Sequence, residues 1–153
     1  MENKVIKCFL FDYVSSELLD FIVQFDRNNI TQFWSTSLWR QELEKPGSFL
    51  SIAYHGMDVV GIALFSIDSF EENADLYKIC VLSEFRRFKV GTKIFDTVYR
   101  FLKGTGVSCI FLDVDSQNSA AISFYRSNNF KELRYRRGYY SNGGDSLLMR
   151  AVL

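Results

Sequence analysis

Three cations and a glycine fall within six residues in Arg86-Arg87-Phe88-Lys89-Val90-Gly91. The stretch lies between the apolar run ADLYKICVL and a segment in which Ile94, Phe95, Val98, Phe101 and Leu102 recur at helical spacing. A chain passing from a strand through such a loop into a helix gathers exposed backbone N–H groups, the positive end of a helix dipole and side-chain charge at one point. That is equipment for holding a phosphate or pyrophosphate. The stretch is neither a Walker-type nucleotide loop nor a GxGxxG dinucleotide pattern. The competing reading is an ordinary basic loop.

A second group follows, where CIFLDVDSQ runs into NSAAISFY. Asn118 and Tyr125 are seven residues apart, so on a helix they lie about two turns from each other on nearly one face. A tyrosine on a helix is more often a core residue than a catalytic one. Asp113 reads as the cap of a turn in which Asp115, Ser116 and Asn118 crowd together.

Other chemistries are poorly supplied. Cys8, Cys80 and Cys109 are odd in number, lack metal-ligand spacing and sit in apolar stretches, so buried, reduced thiols are expected. His55 is the single histidine and falls in the turn-like YHGMDVV, where exposure is expected; a catalytic triad or a histidine-rich metal site has nothing to draw on, and no metal is expected. Net charge is zero but unevenly spread: residues 1–76 hold 5 Lys or Arg against 12 Asp or Glu, residues 77–153 hold 13 against 6. The resulting −7 and +7 suit a polyanion bound by the C-terminal half, or simply a solvated surface. No basic block marks a direct nucleic-acid partner. No apolar run approaches the ~18 residues of a membrane span, and the N-terminus lacks a signal-like apolar region, so a cytoplasmic protein without a membrane partner is expected.

The elements that must position these residues can be read from periodicity. VIKCFLF reads as a first strand; Ser15 or Ser16 then caps a helix whose inward face is Leu18, Leu19, Ile22 and Phe25. A second helix follows Ser35 with Leu38, Trp39 and Leu43, and stops at Pro46-Gly47. FLSIAYH and VVGIALFSID flank the turn HGMD as a hairpin, SFEENA is an acidic loop, and ADLYKICVL is the next strand. The helix after the basic loop ends near Gly104 and Gly106; VSCIFLDV reads as a strand buried on both faces; NSAAISFYRSNN is a short helix closed by Asn128-Asn129; and the tail is two strands joined around Asn142-Gly143-Gly144. With 153 residues, 48% of them hydrophobic, one domain spanning 1–153 with one largely aromatic core is expected. Interleaved helices and strands with hairpins at both ends imply a mixed α/β sheet with helices on its faces. In such sheets ligands sit where strand order or pairing changes, which directs attention to residues 76–103.

The ordered pair of motifs resembles the GCN5-related N-acetyltransferase superfamily. RRFKVG matches its Q/R-x-x-G-x-G/A acetyl-CoA loop at Arg86 and Gly91, with Lys89 where the first glycine is usual. The later N-x-x-A-x-x-x-Y-x-x-x-G-F pattern matches at Asn118, Ala121, Tyr125 and Phe130, with Asn129 replacing glycine. Within the superfamily the chain is similar to RimI-type enzymes, which acetylate the N-terminal amine of a ribosomal protein, in QFWSTSLWRQEL, in LDV followed by NSAAISFY, and in RRGYYSNGGDSLLM.

The resemblance implies a mostly antiparallel sheet of about seven strands flanked by about four helices and splayed between the fourth and fifth strands. It implies acetyl-CoA as cosubstrate, bound by Ile79, Cys80, Val81, Arg86, Arg87, Phe88, Lys89, Val90, Gly91, Thr92 and Asn118. A backbone N–H on Ile79-Cys80-Val81 would polarise the thioester carbonyl, Asp113 would accept the amine proton and Tyr125 would protonate the departing thiolate. The family has Glu at the Asp113 position; the side chain shorter by one methylene favours a water relay. Arg134, Arg136, Arg137, Tyr139 and Tyr140 either border the acceptor site or form a solvated strand edge. The acceptor is a protein N-terminus or, alternatively, a small amine such as a polyamine, amino acid or antibiotic; a CoA-binding module without turnover is the reading from a different class. A monomer or homodimer is expected.

Overall fold

The structure, a computed structural model, describes residues 5–153. Residues 1–4, the start of the N-terminal segment read above for a signal, lie outside them. The chain runs β1 (Ile6–Phe11), α1 (Ser16–Asn29), α2 (Thr36–Glu44), β2 (Ser48–His55), β3 (Asp58–Asp68), β4 (Asn73–Val81), a 3-10 helix (Ser83–Phe88), α3 (Val90–Leu102), β5 (Cys109–Asp115), α4 (Ser119–Ser127), β6 (Phe130–Arg136) and β7 (Ser146–Val152). One seven-stranded sheet has the order β1-β2-β3-β4-β5-β7-β6. Among the described residues only β4 and β5 pair in parallel.

Local chemistry explains the helix starts. Ser15 Oγ accepts the Leu18 N–H at 3.2 Å and Ser35 Oγ accepts that of Leu38 at 3.1 Å, each satisfying a donor that the first turn leaves without a carbonyl. The amphipathic stripe of α3 buries Ile94, Phe95, Val98 and Leu102 against one face of the sheet, where an aromatic cluster forms around Phe95 with Phe65, Phe124, Tyr125 and Phe130. The opposite face is covered by α1 and α2, with Leu19, Ile22, Phe25 and Trp39 packed on Leu50, Ile52, Ile62, Leu64 and Cys80.

Three departures from the periodicity reading have physical causes. β5 is buried on one face only: Ile110, Leu112 and Val114 enter the α3 side, while Cys109, Phe111 and Asp113 are half-exposed because α1 and α2 pack over β2 to β4. Of the three cysteines only Cys80 is fully buried; all three thiols are free. His55 is half-buried, its ring 5.4 Å from that of Phe85, rather than exposed on the turn.

A β-bulge in β4 sets up the site. Leu64 opposes Lys78 and Phe65 opposes Leu76, so Tyr77 is an extra residue and the in–out alternation reverses across it. Before the bulge Ala74 and Leu76 face α3; after it Ile79 and Val81 do, leaving Lys78 and Cys80 on the α1 side.

Candidate active site

β4 and β5 are paired only from Asn73 to Asp75, against Cys109 to Phe111, and then diverge. Among the described residues, Tyr77–Val81 thus keep one strand edge without a β-partner, facing the gap. Into it opens a cleft of about 470 Å³ lined by Ile30, Ile79, Cys80, Val81, Arg86, Gly91, Asn118, Ala120, Ala121, Phe124 and Tyr125. Seven of the site residues expected from the sequence therefore meet here: Ile79, Cys80, Val81, Arg86, Gly91, Asn118 and Tyr125. Arg87, Phe88 and Lys89 are exposed and Thr92 half-buried outside the lining, whereas Val90 is a core residue. Ile30, Ala120 and Phe124 were not singled out by the sequence, and Ala121 only as a motif position. Ile30 carries no local signal, because only the fold brings the end of α1 to β4.

The basic segment is a 3-10 helix rather than an open loop, with Arg86 and Arg87 in its last turn. It hands over to α3 through Lys89, which adopts the left-handed region at φ 56°, ψ 32°. This is the position where the resembling motif has glycine, and the conformation is the one glycine adopts without steric cost. Lys89 gives α3 no side-chain cap, so among the described residues the first-turn amides around Gly91 lack both an intrahelical carbonyl and a side-chain acceptor. An anion is the natural partner for such a helix end beside two arginines. Gly91 serves packing: a Cβ there would stand 2.4 Å from Cζ of Phe124.

Asn118 caps α4, its Oδ1 accepting the Ala121 N–H at 3.1 Å. Asn129 closes the helix at φ 73°, again left-handed where the motif has glycine, a conformation asparagine tolerates well. Between them Tyr125 packs against Phe124, Phe130 and Phe95, with ring centroids 5.4, 5.8 and 6.4 Å away. Burial, with a smaller contribution from Tyr140, pushes its pKa up to about 12. Among the described residues its hydroxyl has no hydrogen-bond partner, and burial is what holds the proton on this residue of the cleft lining.

Asp113 does not line the cleft; it stands on the half-open face of β5. Ser146 donates its hydroxyl to Asp113 Oδ1 at 2.6 Å, and Arg136 Nε lies 3.8 Å from the same oxygen. Tyr139 and Tyr140 gather around it: burial raises both phenols, and the Asp113 charge raises them further. Asp75, the last residue of β4 to pair with β5, is also raised, by burial first and then by Asp68 and Asp113. Arg136, Tyr139 and Tyr140 thus meet Asp113, while Arg134 stays on the exposed edge strand. Among the described residues no group of three or more His, Cys, Asp or Glu could hold a metal, and no helix is long and apolar enough to cross a membrane.

Comparison with known proteins agrees with this geometry. Residues 14–130 match the model of the acetyltransferase (GNAT) family. An N-alpha-acetyltransferase of Sulfolobus acidocaldarius is 28% identical over 146 residues, covering 88% of this chain and 87% of that protein. Among solved structures, the ribosomal-protein-S18-alanine N-acetyltransferase of Escherichia coli superposes with a TM-score of 0.81 at 20% identity, over 95% of this chain and 94% of that one. The Arabidopsis thaliana protein NAA60, solved with acetyl-CoA, does so with a TM-score of 0.82 at 15% identity, over 97% and 100%.

Proposed function

The chain belongs to the acetyltransferase (GNAT) family, and from that premise we propose that it transfers an acetyl group from acetyl-CoA to the N-terminal α-amine of a protein. The observation that carries the reading is the convergence of Tyr125, Asn118, Arg86 and the uncapped start of α3 on one cleft at the splay of the sheet. Lys89 and Asn129, the two departures from the glycines of the motifs, both keep the left-handed backbone. That argues against a decayed, non-catalytic CoA-binding module.

Acetyl-CoA, when bound, supplies an activated acyl thioester with a phosphate-rich handle. The first-turn amides of α3 and Arg86 would hold the phosphates. An N–H on the unpaired edge of Ile79, Cys80 or Val81 would polarise the thioester carbonyl. The attacking amine must shed a proton: Asp113 receives it through water, since the carboxylate lies outside the cleft lining and already accepts the Ser146 hydroxyl. As the N–C bond forms and the C–S bond breaks, Tyr125 gives its hydroxyl proton to the departing sulfur and regains one from solvent. A phenol with a pKa near 12 stays protonated through neutral pH, so it is always in the donor state.

Protein N-termini are favoured as acceptors by the similarity to an N-alpha-acetyltransferase over most of both chains. The test is thiol release from acetyl-CoA against peptides that differ in their first residue, alongside polyamines, amino acids and aminoglycosides. Peptide-dependent release supports the reading. Release with small amines alone moves the acceptor to that class, and CoA binding without release with any acceptor defeats the catalytic reading.

A further inference from the structure

Behind the cleft, on the α1 and α2 side of the sheet, Lys78 Nζ lies 3.0 Å from Asp26 Oδ2, the two side chains 7% and 0% exposed. The same carboxylate oxygen accepts the Trp34 N–H at 2.8 Å and the Trp39 indole N–H at 2.9 Å. Lys78 also donates to the Gln32 carbonyl at 3.0 Å, with its ammonium 4.8 Å from the Trp34 ring centroid. Asp26 Oδ1, equally buried, has no hydrogen-bond partner among the described residues.

Loading three donors on one oxygen and none on the other is a poor way to stabilise a core, where apolar residues of similar volume do as well or better. What the pair does accomplish is geometric. It holds the segment of residues 30–35 that joins α1 to α2 at two points: Asp26 on α1 binds the Trp34 amide, Lys78 on β4 binds the Gln32 carbonyl, and the ion pair links the two anchors. Ile30, the first residue of that segment, lines the cleft beside Ile79 and Cys80, which follow Lys78 on β4. The anion-holding parts come from the 3-10 helix and the starts of α3 and α4. The tied segment instead approaches from the α1 side, the half-open face on which Asp113 lies.

We propose that Asp26 and Lys78 are positioning residues that hold the segment of residues 30–35, and through it Ile30, the residue of that segment that lines the cleft, on the side from which the acceptor amine reaches the acetyl group. The inference rests on the acetyl-transfer reading and deepens it.

The test is the double variant Asp26→Asn with Lys78→Met. The first substitution keeps an oxygen for both tryptophan donors, the second keeps a flexible stem beside Trp34, and no unpaired charge is left buried, so melting should shift by only a few degrees. The affinity for acetyl-CoA by calorimetry should stay within about twofold, while kcat/KM for an alanine-initiated peptide falls about tenfold or more, mainly through KM. Amide exchange at residues 31–35 should rise. Unchanged peptide KM with unchanged exchange would overturn the proposal, and an equal loss of acetyl-CoA affinity would overturn it too, by making the segment a cofactor wall. If the unmodified protein releases no thiol with any amine, the transfer reading fails and the acceptor role with it, while the exchange result still reports whether the pair tethers the segment.

Discussion

Lys89 shows how a residue foreign to a motif can keep the motif's geometry. At φ 56° it stands in a region that costs a residue with a Cβ roughly 1–2 kcal/mol relative to glycine, and the fold holds it there between the 3-10 helix and α3. Its side chain does not line the cleft, and neither does that of Arg87; Arg86 does. The three cations, equal in the sequence, therefore divide in the structure. Arg86→Glu should raise KM for acetyl-CoA about tenfold or more, the loss of one charge-assisted hydrogen bond of ~1.5–3 kcal/mol, with turnover little changed. Arg87→Glu should raise it by much less, with an effect that fades in high salt. Equal effects in initial-rate measurements at two ionic strengths would show that the cleft does not distinguish the two side chains.

At the scale of elements, the meeting of α3 and α4 decides whether the cleft keeps its shape. Alanine at position 91 would gain about 1 kcal/mol of helix propensity, yet its Cβ would stand 2.4 Å from a Phe124 ring packed between Phe95 and Tyr125. A ring so wedged cannot swing aside cheaply, and overpacking of this kind costs about 1–3 kcal/mol. Gly91→Ala should lower the melting temperature and weaken acetyl-CoA binding; combining it with Phe124→Leu should restore part of both in a double-mutant cycle. Strict additivity would mean that the contact is not the cause. Much of this architecture was legible beforehand: the stripe on α3, the serine caps of α1 and α2, the β2–β3 hairpin and the Asn118–Tyr125 spacing are local patterns with local causes. The bulge at Tyr77, the 3-10 turn and the open face of β5 were not, because each depends on which strand or helix packs alongside. Asp113 stood out by type and motif position, but its separation from the cleft lining and its hold by Ser146 depend on β7, which pairs with β5 from the far end of the chain.

The whole molecule places a helix start without a side-chain cap on one side of a split sheet and a half-buried acidic and phenolic group on the other, with Tyr125 lining the gap. Concentrating carboxylates this way has a cost that depends on pH. Burial and the nearby charges of Asp68 and Asp113 hold the Asp75 pKa above its ordinary value, so its contribution to stability is fully present below the unfolded-state pKa of about 3.9 and is lost as pH rises through the higher folded value. Asp75→Asn should therefore raise the melting temperature at pH 7 and lose that advantage near pH 3; a pH-independent difference in thermal scans would contradict the shift. The central claim is that this split sheet is an acetyl-transfer site with Tyr125 as proton donor. It is tested most directly by single-turnover acetyl transfer to an alanine-initiated peptide, comparing the unmodified protein with Tyr125→Phe. The hydroxyl has no partner to lose among the described residues, so packing, melting temperature and acetyl-CoA affinity should be nearly unchanged while the transfer step slows about 10²- to 10⁴-fold. Transfer at a near-normal rate by the phenylalanine variant would contradict the assignment of Tyr125.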